Sequence, residues 1–236
     1  MWTADLVNRT NLTLEAKDPS RATLVEGMRP GTQALRLQTI PGDDHISGSG
    51  NLERCDVYQC VPGTADPVVY QDQTIWVAHS IKLPDDFQWP LWHPYVLFDF
   101  HNKGTSVAAN LHVNFRRIAG DDLALGELQI QLFSGDPMKP TETAYVTLGR
   151  PPRNTWLNFL HHIRWTSGST GFCHSWLNGL RVLAYKGQTL YRGQGVFLKL
   201  ANYHLPFRPG VDGTPTASAV IHDRVVVGTT MEEVTA

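Results

Sequence analysis

The sequence predicts an all-β protein built as a two-sheet sandwich, in a single domain spanning residues 1–236. Three observations lead there. The chain carries 20 Gly and 15 Pro with aromatic residues throughout, which suits many short strands joined by turns. It has no long stretch with helical apolar periodicity. Its alternating segments follow one another at short spacing, and such strands must stack or close to hide their apolar faces.

In chain order, a polar N-terminal segment precedes Ala34-Leu35-Arg36-Leu37-Gln38-Thr39-Ile40, whose alternation marks a strand with one buried face, ended by Pro41-Gly42-Asp43-Asp44. The run from Leu52 to Cys60 is the second strand, followed by a Pro- and Gly-containing loop. Strands are then expected over Gln73 to Leu83, Tyr95 to His101, Ala109 to Arg116, Glu127 to Phe133, Ala144 to Leu148 and Trp156 to Trp165. Cys173 to Leu177 and Leu180 to Tyr185 flank Asn178-Gly179, a hairpin signal because both turn residues accept positive φ. Phe197 to His204 reads as a further strand, and Ala219 to Val227 as the last.

Twenty basic and 22 acidic residues give a formal charge of −2, with no general pull toward nucleic acid or anionic membrane. No apolar run approaches a membrane-spanning helix, and Met1-Trp2-Thr3-Ala4-Asp5 lacks the regions of a signal peptide. A soluble monomer is expected, and an extracellular or secreted location is compatible with prior removal of a signal. Three cysteines cannot all pair within the chain; Cys55 and Cys60 are close enough for a local bridge, with buried reduced thiols the preferred expectation. Asn8 and Asn11 each open a glycosylation-type triplet, a short pattern that arises often by chance.

A strand period of two sets Lys199, Ala201 and Tyr203 on one face and Leu198, Leu200 and Asn202 on the other. It also groups Asp99 with His101, Arg54 with Asp56 and Tyr58, His112 with Asn114 and Arg116, and Glu127 with Gln129 and Gln131. A sheet face bearing these residues suits a long, hydroxylated, anionic chain laid across it. A solvated sheet face explains the same pattern without a ligand, and Arg54 can simply pair with Asp56 or Glu53.

Two further segments, Trp156 to Trp165 and then Gly171 to Gly179, resemble the central hairpin of glucuronan lyases and heparin-lyase-like polysaccharide lyases. The downstream order Lys199-Leu200-Ala201-Asn202-Tyr203 and then His222-Asp223-Arg224 to Gly228 is similar to the same family, so the resemblance covers roughly residues 35 to 228. It implies a concanavalin A-like jelly roll with a concave groove that cleaves a uronic-acid polymer, glucuronan-like first, by β-elimination. It also implies a Lys and a Tyr four residues apart on one strand, matched by Lys199 and Tyr203, and a Gln-x-His motif, matched by Asp99-Phe100-His101 with Asp in place of Gln. An ionised Asp99 would repel a substrate carboxylate, unless it orients His101 or is offset by Arg54.

Elimination requires charge stabilisation on the C6 carboxylate as the C5 proton leaves, a role assigned to Arg54. His101 is the expected general base and Tyr203 the acid on the departing oxygen, with Lys199 as the nearby cation; for one epimer Tyr203 performs both transfers. Asp99, Asn202, His112, Asn114, Gln131 and His45 are expected to line the substrate. Trp89, Trp92 and Trp156 are assigned to the core in preference to the groove. The chemistry requires no cofactor. His161-His162 would point to opposite faces and no zinc pattern occurs, whereas a structural calcium near Asp43-Asp44 or Asp223 fits the family without a fixed ligand set. The rivals are a glycoside hydrolase on this fold, for which no Glu-x-Asp-x-x-Glu pattern occurs, and a non-catalytic carbohydrate-binding domain.

Overall fold

Two antiparallel sheets face each other across a shared apolar interior. The computed structural model describes residues 2–7, 11–43, 52–59, 69–89, 94–102, 108–116, 126–204 and 217–236. One sheet has the order β13 (Leu180–Lys186), β12 (Phe172–Leu177), β11 (Trp156–Arg164), β6 (Thr74–Lys82), β15 (Ser218–Gly228), β4 (Gln33–Thr39), β3 (Ala22–Glu26), with β1 (Trp2–Thr3) also paired to β15. The other has the order β10 (Lys139–Gly149), β9 (Glu127–Asp136), β8 (Leu111–Arg116), β7 (Tyr95–Asn102), β14 (Val196–His204), β5 (Glu53–Gln59), β2 (Leu12–Ala16). Sequential hairpins at the sheet ends alternate in these orders with pairings between strands remote in sequence, such as β6 with β15 and β7 with β14, as in a jelly roll.

Period-two alternation decides which side chains enter the interior. Leu35 and Leu37 of β4, Val77 and Ile81 of β6, and Phe159 and Ile163 of β11 meet Val57 of β5, Phe98 and Phe100 of β7, Val113 of β8, Ile130 of β9, and Leu198 and Leu200 of β14. Each such side chain contributes about 1.5–3 kcal/mol on full burial. The β12–β13 turn holds Asn178 at φ 50° and Gly179 at φ 82°, so the left-handed pair expected from the sequence is present. A five-residue helix, α1 (Met231–Thr235), follows β15, capped reciprocally by Thr230 and Glu233.

The expected strands from residue 34 onward are present, with ends moved by a few residues. Strands β2 and β3 lie in the segment read only as polar. Both are edge strands, half-buried or largely exposed, where the hydrophobic signal is weakest. Cys55 is a free thiol buried in the core and not half of a bridge, and its burial pushes the pKa up to about 12. Cys60 and Asn8 lie outside the described residues.

Candidate active site

The polar residues expected to share a face do so on the outer side of the seven-stranded sheet. One row across the strands runs Arg54, Tyr203, Val96, Asn114, Gln129, and a parallel row runs Tyr58, Lys199, Asp99, His112, Gln131. In β7, Leu97 and Phe98 both enter the core, so Val96 and Asp99 face outward although they are three residues apart. The register shifts around Leu97 on both sides of β7 accompany this, as a bulge that re-aims side chains would.

Tyr203 is flanked by two cations. The Arg54 guanidinium lies 4.3 Å from the ring centroid and the Lys199 ammonium 5.3 Å from it. Both are held by carboxylates: Arg54 pairs with Glu15 at 2.8 Å and lies 3.8 Å from Asp56, while Lys199 reaches Asp56 at 2.8 Å and Glu15 at 3.9 Å. Burial opposes the Arg54 charge, but Asp56 and Glu15 outweigh it and hold its pKa above the ordinary value. Burial likewise opposes the Lys199 charge, and Asp56 and Asp99 outweigh it. Asp56, fully buried, is thus the common anchor of both cations.

His101 keeps a half-exposed ring stacked on Phe197 at 5.3 Å. Its Nδ1 lies 2.9 Å from the Asn102 carbonyl, an acceptor-only partner, so in the neutral ring Nδ1 carries the hydrogen and Nε2 the lone pair. His101 and Tyr203 occupy the same face of neighbouring strands, yet they are not opposite each other. His101 is paired with Phe197, whereas Tyr203 is paired with Val96 across a register shift.

Asp99 is 4% exposed, and its Oδ1 is buried without a hydrogen-bond partner. Burial raises its pKa, against the opposing pull of His101 and Lys199. His112, Asn114 and Gln131 join the same face, linked by Asn114 Nδ2 donating to Gln131 Oε1 at 2.7 Å and Gln131 Nε2 donating to Glu142 at 2.7 Å. Asn202 does not line this face. It is sealed between the sheets, donating to the carbonyls of Leu37 and Ser218 at 2.9 Å and accepting from Tyr95 Oη, so its expected substrate contact is withdrawn.

His45 and Trp92 lie outside the described residues. Trp89 packs edge-on to Phe87 and Phe115, and Trp156 lies under the Lys82 ammonium. His161 is buried and His162 stacks outward on Trp76, on opposite faces as the sequence implied. Asp43 is taken up by Arg21 at 2.7 Å, and Asp223 accepts from the Met28 and Arg224 amides at 2.6 Å. Among the described residues no group of three His, Cys, Asp or Glu side chains assembles to hold a metal. Sequence reasoning missed Glu15 and, as an anchor, Asp56. The alternation of Leu12-Thr13-Leu14-Glu15-Ala16 was the available signal. Two concavities of about 470 Å³ lie elsewhere, one lined by Asp136, Ser167 and Arg192 and one by Met28, Trp176 and Met231.

The sequence model of the family described as Polysaccharide lyase matches residues 4–225. The chain belongs to the polysaccharide lyase family. This lyase is similar in fold to an endo-β-1,4-glucuronan lyase from the fungus Trichoderma reesei, with a TM-score of 0.67 and 18% identity over 93% of this chain and 92% of that one. It also resembles an alginate lyase of polysaccharide lyase family 7, AlgAT5, with a TM-score of 0.61 and 13% identity over 98% of this chain and 100% of that one. The alginate lyase Aly36B matches with a TM-score of 0.58 and 15% identity over 91% and 86% of the two chains. A sequence search of curated proteins finds no match. The family membership removes the hydrolase rival, and the shared fold is the lyase jelly roll.

Proposed function

We propose that this lyase cleaves a uronic-acid-containing polysaccharide, glucuronan-like in the first instance, by β-elimination centred on Tyr203. The observation that carries this reading is the Tyr203 ring on the outer sheet face with Arg54 at 4.3 Å and Lys199 at 5.3 Å. In a β-1,4-linked glucuronate the C5 hydrogen and the C4 oxygen lie on the same ring face, so one phenol can serve both transfers. The Tyr203 oxygen, as phenolate, takes the C5 proton, the electron pair of that bond forms the C4=C5 double bond, and the C4–O bond breaks. The leaving oxygen then receives the proton from Tyr203. The Arg54 guanidinium beside the Tyr203 ring supports the phenolate that acts as base, and Arg54 together with Lys199 balances the charge that develops on the substrate carboxylate as the C5 proton leaves. His101, paired with Phe197 and not opposite Tyr203, contacts a neighbouring sugar unit.

The polymer is the partner, the working form a monomer, and the site of action extracellular; none of the steps requires a cofactor. Incubation with glucuronan yields an unsaturated product that absorbs in the ultraviolet, and Tyr203→Phe lowers kcat by at least about 10³-fold with the fold intact. Polymer binding without any unsaturated product marks a carbohydrate-binding domain and ends the enzymatic reading.

A further inference from the structure

The charges immediately around Tyr203 pair off without Asp99. Arg54 and Lys199 are the cations there, and Glu15 and Asp56 are the carboxylates paired with them. Asp99 of β7 is 4% exposed, and its Oδ1 is buried without a hydrogen-bond partner. The groups around it are Arg54 and Asp56 from β5, Lys199 from β14, His101 from its own strand and His112 opposite it on β8. The Lys199 ammonium beside it already lies 2.8 Å from Asp56. An ionised carboxyl there would be a third negative charge beside Asp56 with its Oδ1 unpartnered, and burial disfavours that charge. Burial accordingly raises the Asp99 pKa.

A neutral carboxyl differs from a carboxylate in one chemical respect that matters here: it has a hydrogen to donate. Its position opposite Lys199 and His112 turns it to the sheet face over which an acidic polymer would lie. We propose that Asp99 works as a neutral carboxylic acid that donates a hydrogen bond to a carboxylate of the bound uronate chain, and that its ionisation closes this face to polymer on the alkaline side. The proposal rests on the elimination reading for the identity of the ligand, and adds to it a residue that selects for an acidic sugar and a pH limit for binding. The acid–carboxylate bond is charge-assisted, and an ionised Asp99 replaces it with repulsion between two acceptor-only groups.

The test compares wild type, Asp99→Asn and Asp99→Leu. KM for glucuronan and the calorimetric affinity for a saturated glucuronate tetrasaccharide are measured from mildly acidic to alkaline pH. Asn is a neutral donor at every pH, so Asp99→Asn keeps KM within about threefold of the wild-type acidic-side value and loses the alkaline rise. Asp99→Leu removes the donor and raises KM about tenfold or more at all pH, with kcat less affected. The infrared carbonyl band of a protonated carboxylic acid is present near neutral pH in wild type and missing in Asp99→Asn. The proposal is overturned if Asp99→Asn, folded as judged by its melting curve, loses affinity as Asp99→Leu does, or if it retains the alkaline rise. Absence of that band in wild type also overturns it. The absence of unsaturated product from wild type defeats the elimination reading alone, since tetrasaccharide affinity and the band still decide for or against Asp99.

Discussion

Polar groups are buried in two regions of this sandwich, and the two solve the problem in opposite ways. On the outer face of the seven-stranded sheet, Arg54 and Lys199 are ion-paired with Glu15 and Asp56. Inside the opposite sheet the groups are neutral imidazoles. His79 and His161 join Nε2 to Nε2 at 3.0 Å, His161 Nδ1 lies 2.8 Å from Ser175 Oγ, and His222 Nε2 donates to the Ala201 carbonyl at 3.2 Å. His79 is further clamped between Phe98 and Phe159, with ring centroids at 3.8 and 4.9 Å. Charge is kept where a charged polymer would bind, and excluded where only packing is required. The two regions must therefore respond differently to acid and to mutation.

The largest difference is expected on acidification. Burial lowers the pKa of His79, His161 and His222, to about 3 for His161 and about 4 for His222. The unfolded imidazoles titrate near about 6.5, so below that pH the unfolded state binds more protons and stability falls. The three together contribute a loss approaching ~4 kcal/mol per pH unit below about pH 6, fading as the folded values are reached. Denaturant melts at neutral and mildly acidic pH measure the slope, and His161→Gln should reduce it by about 1.4 kcal/mol per pH unit. An unchanged slope in that variant would mean that His161 is not buried neutral.

Asp56→Asn probes the charged region. It leaves the buried Lys199 ammonium without its 2.8 Å partner, a loss of about 3–5 kcal/mol by denaturant melt. Adding Lys199→Met removes the stranded charge and should restore much of that stability, because a buried pair and an apolar replacement are close in energy. A double variant as unstable as Asp56→Asn would show that the pair is not the source of the cost. The smallest effect belongs to His101→Ala. Paired with Phe197 and not opposite Tyr203, it should raise KM by a few-fold and leave kcat within about tenfold.

Much of this was legible in the sequence because period-two alternation and turn chemistry act locally. The strands from residue 34 onward, the Asn178-Gly179 hairpin and the shared face of Lys199 and Tyr203 follow from those rules alone. What escaped depends on register between strands far apart in the chain. The shift around Leu97 sends two consecutive side chains inward, and the pairing of His101 with Phe197 separates it from Tyr203. Asn202 falls on the core face by the same alternation that was read correctly for its neighbours, and its amide is satisfied by β4 and β15, which no local pattern announces. Glu15 matters through the pairing of β2 with β5, a contact that joins the two ends of a long connection.

The most direct test sets Tyr203→Phe beside His101→Ala in one assay of unsaturated product from glucuronan, with kcat and KM resolved for each. If the chemistry is centred on Tyr203, kcat falls by at least about 10³-fold in the first variant and stays within about tenfold of wild type in the second. Equal collapse of kcat in both, with both proteins folded, would place His101 at the reacting bond and contradict the account.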